Sequence, residues 1–116
     1  MEIKIGKSNE TLLVKVSGQL MEPEQEFFKK MIDEVSRNTA EPNVVFDFSF
    51  LLNMSSSGLG KLIVLHKRLA EQGRRFAIHG INENLFSFFQ SINLEKMIEM
   101  DQDSYRNGCS FSTFEI

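Results

Sequence analysis

The sequence predicts an α/β fold, a mixed four- to five-stranded sheet packed by helices in the order ββαβαβαβ. Three observations predict it. Apolar residues alternate at period two in a first pair of short segments joined by a turn. Apolar stripes at helical spacing then alternate with short apolar runs. One of those runs, Val44-Val45-Phe46-Asp47-Phe48, is apolar at nearly every position, as a central strand covered on both faces requires.

The elements follow in order. Ile3 and Ile5 alternate with Glu2, Lys4 and Gly6, Ser8-Asn9-Glu10 supplies a turn, and Leu12 to Val16 is a second strand. Gly18 ends the hairpin. Pro23 suits the first turn of a helix whose stripe is Phe28, Met31, Ile32 and Val35, and Asn38 to Pro42 breaks it. After strand 44–48 comes a helix with Leu59, Leu62, Ile63, His66, Leu69 and Ala70 on one face, closed by Gly73. Arg75 to Ile81 is the next strand. Asn82 caps a third helix with Leu85, Phe88, Phe89 and Ile92 as its stripe, and Asn93 stops it in a left-handed conformation. Lys96 to Met100 is expected as the last strand. Residues 101–116 show no clean period and are expected as an irregular tail on a single domain spanning 1–116, with its core in 2–100.

Composition excludes several function classes. At 116 residues the chain is long enough for one two-layer core. Its net charge of −3 gives no global electrostatic case for nucleic acid, and its basic residues cluster only at Lys67-Arg68 and Arg74-Arg75. A single cysteine, Cys109, excludes an intrachain disulfide and a cysteine-only metal site. The two histidines and that cysteine lack ligand spacing, so neither metal nor cofactor is expected. No apolar run reaches membrane-spanning length, and MEIKIGKSNE lacks the apolar core of a signal peptide, so a cytoplasmic location without membrane insertion is expected.

The stretch Ser55-Ser-Ser-Gly-Leu-Gly-Lys-Leu62 carries the question of function. A phosphate-cradling loop ending in Gly60-Lys61 needs Gly at position 55 and Ser or Thr at 62, where this chain has Ser55 and Leu62. The serines also lack the Gly-x-Ser-x-Gly elbow of a hydrolase. His66 lies mid-stripe, where a buried, hydrogen-bonded role is expected, and His79 sits in a strand beside Gly80. The acidic residues Glu22 to Glu26 and Asp33-Glu34 fit a solvated helix face. Most of the eleven phenylalanines fall on apolar stripes, but Phe86 lies off its helix's stripe and is expected to be exposed. Val64 stands opposite the apolar face, among Ser57, Lys61 and Arg68. What remains is three hydroxyls at a helix start, where a phosphate meets unpaired N–H groups and the positive dipole end.

Together these segments resemble the STAS domains, specifically the small stand-alone anti-sigma factor antagonists of bacteria. Asp47-Phe-Ser-Phe-Leu-Leu-Asn-Met-Ser-Ser-Ser-Gly-Leu-Gly60 matches that family's strand–loop–helix pattern without a gap. Gly18-Gln19-Leu20 resembles the Gly-x-Leu after its second strand, and Asn82 to Met100 resembles its last helix, turn and edge strand. The resemblance covers residues 2 to about 100.

The resemblance implies a binding protein rather than an enzyme. In the family an anti-sigma factor serine kinase phosphorylates a serine just before Ser-Gly-Leu-Gly; the unmodified antagonist binds the kinase and frees the sigma factor. The acceptor maps onto Ser56, with Ser57 as the alternative. The implied docking surface holds Ser55, Ser57, Gly58, Gly60, Lys61, Val64 and Arg68, on a monomer or weak dimer. Two positions depart from the family. Ser55 stands where Asp usually precedes the acceptor, and Met21 stands where Asp commonly follows Gly-x-Leu, so a less negative site is expected. Both departures fit a second reading, an adaptor of the same fold that is never phosphorylated and binds a transporter or signalling complex. A nucleotide-binding or hydrolytic enzyme is the third.

Overall fold

The computed structural model describes residues 1–103 and the backbone of Phe111–Thr113. Strands β1 (Glu2–Ser8) and β2 (Thr11–Leu20) form the expected hairpin, with Ile5 opposite Val14. Asn9 turns it at φ 55°, a left-handed conformation that asparagine tolerates. A short 3₁₀ turn over Glu22–Glu24 holds Pro23 and leads into helix α1 (Gln25–Asn38), which buries Phe28, Met31, Ile32 and Val35 as the spacing predicts. Strand β3 (Asn43–Met54) follows, then helix α2 (Ser56–Glu71) and strand β4 (Arg75–His79). Helix α3 (Glu83–Ser91) and a 3₁₀ turn over Leu94–Lys96 lead to the short strand β5 (Glu99–Asp101).

The sheet order is β5-β4-β3-β2-β1-β6, with β6 formed by Phe111–Thr113. Strands β2, β3, β4 and β5 run parallel, and the hairpin and β6 make the sheet mixed. The run 44–48 is central, between β2 and β4, as expected. One side of each strand enters the main core with the helices: Val14, Val44, Phe46, Phe48, Phe76 and Ile78 pack there against Phe28, Leu62, Leu65 and Phe89. On the opposite side Leu13, Val45 and Ala77 form a small buried cluster.

Strand β3 carries two extra residues relative to β2. Pairing moves from Lys15–Asp47 to Ser17–Phe50, and again from Gly18–Leu51 to Gln19–Asn53. At the first bulge Asp47 Oδ1 accepts hydrogen bonds from the Ser49 amide and hydroxyl, giving a buried carboxylate local donors. Gly80 closes over this turn at φ 71°; a Cβ there would lie 2.8 Å from Asp47 Oδ1, so any side chain would displace it.

The structure corrects the sequence reading at six places. Strand β3 runs on past Phe48 to Met54, paired with β2 across two bulges. Helix α3 buries Leu85 and Phe89 and packs Phe86 against the core, whereas Phe88 and Ile92 are exposed. The helix ends at Ser91, so Ile92 lies beyond its last turn and the apolar face is rotated toward Phe86. In α2, Leu65 is buried while Ala70 is exposed and His66 only half-buried. Strand β4 stops at His79 because Gly80 leaves the extended region. The last parallel strand is Glu99–Asp101 rather than Lys96–Met100, since Lys96 and Met97 close a 3₁₀ turn on Asn93 and Leu94. Finally, the segment expected as an irregular tail supplies β6, paired with Lys4–Gly6; Cys109 and the rest of 104–116 lie outside the described residues.

Arg74 belongs to this scaffold rather than to a basic patch. Buried beneath the end of α1, it donates to the carbonyl oxygens of Val35, Thr39 and Glu41 and to Thr39 Oγ1. Val35 lies in the last turn of α1, where carbonyls lack intrahelical donors, and Thr39 and Glu41 follow in the chain leaving it; the guanidinium fork meets all three together.

Candidate functional site

Helices α1 and α2 both begin where a parallel strand ends, at the carboxyl edge of the sheet, where open α/β folds place their sites. The Ser55 amide donates to the Leu20 carbonyl oxygen at 2.8 Å, tying the end of β3 to the end of β2. The helices run side by side and parallel: Gln25 meets Lys61, Asp33 meets Arg68, and Ser36 meets Gln72.

The three serines have different environments. Ser55 is the cap of α2: its backbone is extended, and its Oγ accepts from the Gly58 amide at 3.3 Å and from Gln25 Nε2 at 2.9 Å. Ser57 is exposed, but its hydroxyl donates to Glu22 Oε1 at 3.3 Å. Ser56 is the first residue of the helix and is exposed, and its side chain has no hydrogen-bond partner among the described residues. The amides of such a first turn lack intrahelical acceptors and carry the positive end of the dipole. A hydroxyl placed there is open to solvent and to an incoming group.

The glycines that follow divide by role. Gly58 is buried, and a Cβ on it would lie 2.9 Å from Leu20 Cδ2 and 3.0 Å from Met54 Cγ, so it lets the helix start pack close to the sheet edge. Gly60 is exposed, and a Cβ there would meet nothing within 4 Å. Lys61 Nζ donates to Gln25 Oε1 at 2.6 Å, so Gln25 joins the cap Ser55 to Lys61 through its two amide atoms. Val64 is 43% exposed, as expected, and Arg68 pairs with Asp33 Oδ1 at 2.8 Å and with Ser36 Oγ at 3.3 Å. The Arg68 hydrogen bond holds the Asp33 carboxyl below its ordinary value. Ser56, Ser57, Gly60, Lys61, Val64 and Arg68 thus share one outer face, with Ser55 and Gly58 behind it.

Met21 is 40% exposed where a carboxylate was missing, yet its neighbour Glu22 reaches Ser57, and Glu24 accepts from the Met21 amide. One carboxylate, that of Glu22, therefore stands beside the helix start, from a run read as a solvated face. Gln25, also within that run, is buried and central to the cap. Neither role has a local signal, because the partners are separated by 30 to 36 residues.

On the other flank of the turn, Leu52 and Phe88 line a shallow cleft with Asn53, Met54, Asn84 and Leu85. Among the described residues no group of three or more His, Cys, Asp or Glu is placed to hold a metal ion, and no helix is long and apolar enough to cross a membrane.

The STAS domain family model matches residues 2–106. Solved structures with this fold include the Bacillus cell-fate determinant SpoIIAA in its phosphorylated form, at TM-score 0.67 and 19% identity over 84% of this chain and 89% of that one. An anti-sigma factor antagonist from Mycobacterium paratuberculosis superposes at TM-score 0.76 and 18% identity, over 85% and 83% of the two chains. The murine anion transporter solute carrier 26 family member A9 contains a similar domain, at TM-score 0.71 and 12% identity over 85% of this chain and 17% of the transporter. With a family model matched along nearly its whole length and the same fold in its structural relatives, this chain belongs to the STAS domain family.

Proposed function

We propose that this chain is an anti-sigma factor antagonist that binds an anti-sigma factor serine kinase through the Ser56 turn and the outer face of α2, and is released when Ser56 is phosphorylated. The observation that carries the reading is the division of labour among the serines. Ser55 is held as the helix cap and Ser57 faces Glu22, which leaves Ser56 as the exposed hydroxyl without a partner among the described residues. A phosphate on Ser57 would be driven toward a carboxylate at like charge, whereas one on Ser56 meets the helix N-terminus. Solved forms of SpoIIAA, both phosphorylated and unphosphorylated, supply a precedent within the fold. On this reading the protein is a bacterial cytoplasmic regulator with no catalytic activity of its own.

The test is Ser56→Asp against Ser56→Ala. A phosphate adds roughly −1.5 to −2 charges at an exposed helix start, where the dipole offsets it by about 0.3–1 kcal/mol, so the fold tolerates it. Against a partner shaped for a neutral hydroxyl the same charge must be desolvated, costing several kcal/mol, or about a hundredfold or more in affinity. Ser56→Asp is expected to lose the partner, captured from the native cell by wild-type protein, with its melting temperature almost unchanged. Ser56→Ala is expected to bind and to resist phosphorylation. Equal binding by Ser56→Asp and wild type would select the adaptor reading, which the missing carboxylates at positions 55 and 21 favour and which the transporter-borne domain illustrates.

A further inference from the structure

We propose that the groove between α1 and α2 receives an acidic amphipathic helix of the protein partner. This rests on the reading of the α2 outer face as the docking surface and adds the chemistry of the occupant. The groove, about 210 Å³, has an apolar floor of Ile32 and Val64 and a rim of Lys29, Lys61 and Arg68, with Asp33 as the one carboxylate lining it among the described residues. Arg68 holds that carboxylate at 2.8 Å. Lys61 is bound to a neutral amide oxygen, and neither Lys61 nor Lys29 forms an ion pair among the described residues.

Three cations against one carboxylate make this groove positive on a chain whose net charge is −3. A local reversal of sign around an apolar floor is complementary to apolar residues flanked by Asp and Glu. The shape selects a helix. The floor lies between two parallel helices, and a third laid along them places apolar residues at i, i+3, i+4 and i+7 over Ile32 and Val64 while its flanks face the rim. Glu22, at the α2 N-terminal end of this face, and the exposed Glu26 on α1 bound the positive region at that end, so the acidic flanks of the occupant are placed against Lys29, Lys61 and Arg68.

Two synthetic peptides with the same leucine stripe at helical spacing test this, one flanked by Glu and the other by Lys, titrated into the ¹⁵N-labelled full chain. The Glu peptide is expected to shift the amides of Lys29, Ile32, Lys61, Val64 and Arg68, and the Lys peptide to leave them in place. In a Lys29→Glu/Lys61→Glu variant, affinity for the Glu peptide is expected to fall by about tenfold or more, with the Lys peptide now binding. Equal binding of both peptides, binding of neither, shifts centred elsewhere, or equal occupation of the groove by phosphatidylglycerol vesicles overturns the proposal. The titration does not involve Ser56. A positive titration beside a Ser56→Asp variant that still binds its native partner would therefore sink the phosphorylation switch alone, and the converse pair of results would sink the groove alone.

Discussion

Changing Gly60 and Gly58 separately to alanine sets helix preference against packing and partner contact. Gly60 lies inside α2 and is exposed, and a methyl group there has nothing within 4 Å. The helix preference of alanine over glycine, about 0.8–1 kcal/mol, is then uncompensated, so Gly60→Ala is expected to stabilise the fold by roughly that amount. For a chain of this size that raises the melting temperature by about 3–6 °C. At Gly58 the added methyl lies 2.9–3.0 Å from Leu20 and Met54 side-chain carbons, closer than carbon atoms pack. Overpacking of this kind costs about 1–3 kcal/mol, which outweighs the helix gain and leaves Gly58→Ala less stable than wild type. Thermal and urea unfolding followed by circular dichroism measure both effects. Binding supplies the functional half: on the proposed docking face the Gly60→Ala methyl would stand between the helix and its partner, so the more stable variant is expected to bind more weakly. A Gly60→Ala protein no more stable than wild type would refute the helix-preference reasoning. One that binds the partner as tightly as wild type would refute close approach at Gly60.

Ser55→Ala removes the acceptor of both the Gly58 amide and Gln25 Nε2 and is expected to cost about 1 kcal/mol in urea unfolding, whereas Ser55→Asp keeps an acceptor and is expected to stay close to wild type. Arg74→Lys leaves a single point of donation where the fork serves three backbone carbonyls, and is expected to destabilise by about 2–3 kcal/mol despite keeping the charge. Asp33 is held below its ordinary value of 3.8 by the Arg68 hydrogen bond. The stability it contributes is therefore present above that value and is lost as pH falls through its lowered folded value. The stability gap between wild type and Asp33→Asn is expected to hold at neutral pH and close only in strong acid; a gap that closes near pH ~6 would assign it to another group.

The strands and first two helices were legible because their signals are local. Periods of two and 3.6 in residues 2–71 follow from which face of each element meets the core, and nearly every predicted core position of α1 and β3 is buried. The start of α2 was legible too, since small hydroxyl residues before an apolar stripe mark a cap. What sequence could not supply was contact between distant residues. Glu22 beside Ser57, Gln25 under Ser55 and Arg74 under α1 arise only once β2 and β3 lie parallel and bring the helix ends together. Helix α3 was misassigned by one face because nine residues are too few to distinguish a stripe through Phe88 and Ile92 from one through Phe86.

The strand order also bears on how the chain assembles. From β1 to β5 each new strand is added beside the one made just before it, so no strand must wedge between two that are already paired. The hairpin precedes the other strands in sequence and provides a template, and each later strand–helix unit docks on the edge left by the last. Strand β6 alone breaks this progression. It returns to the far side of β1 and pairs across more than a hundred residues of sequence, Gly6 with Phe111, so its docking is the longest loop the chain must close. Until that step the exposed edge of β1 is an open template for any other strand, and β6 covers it.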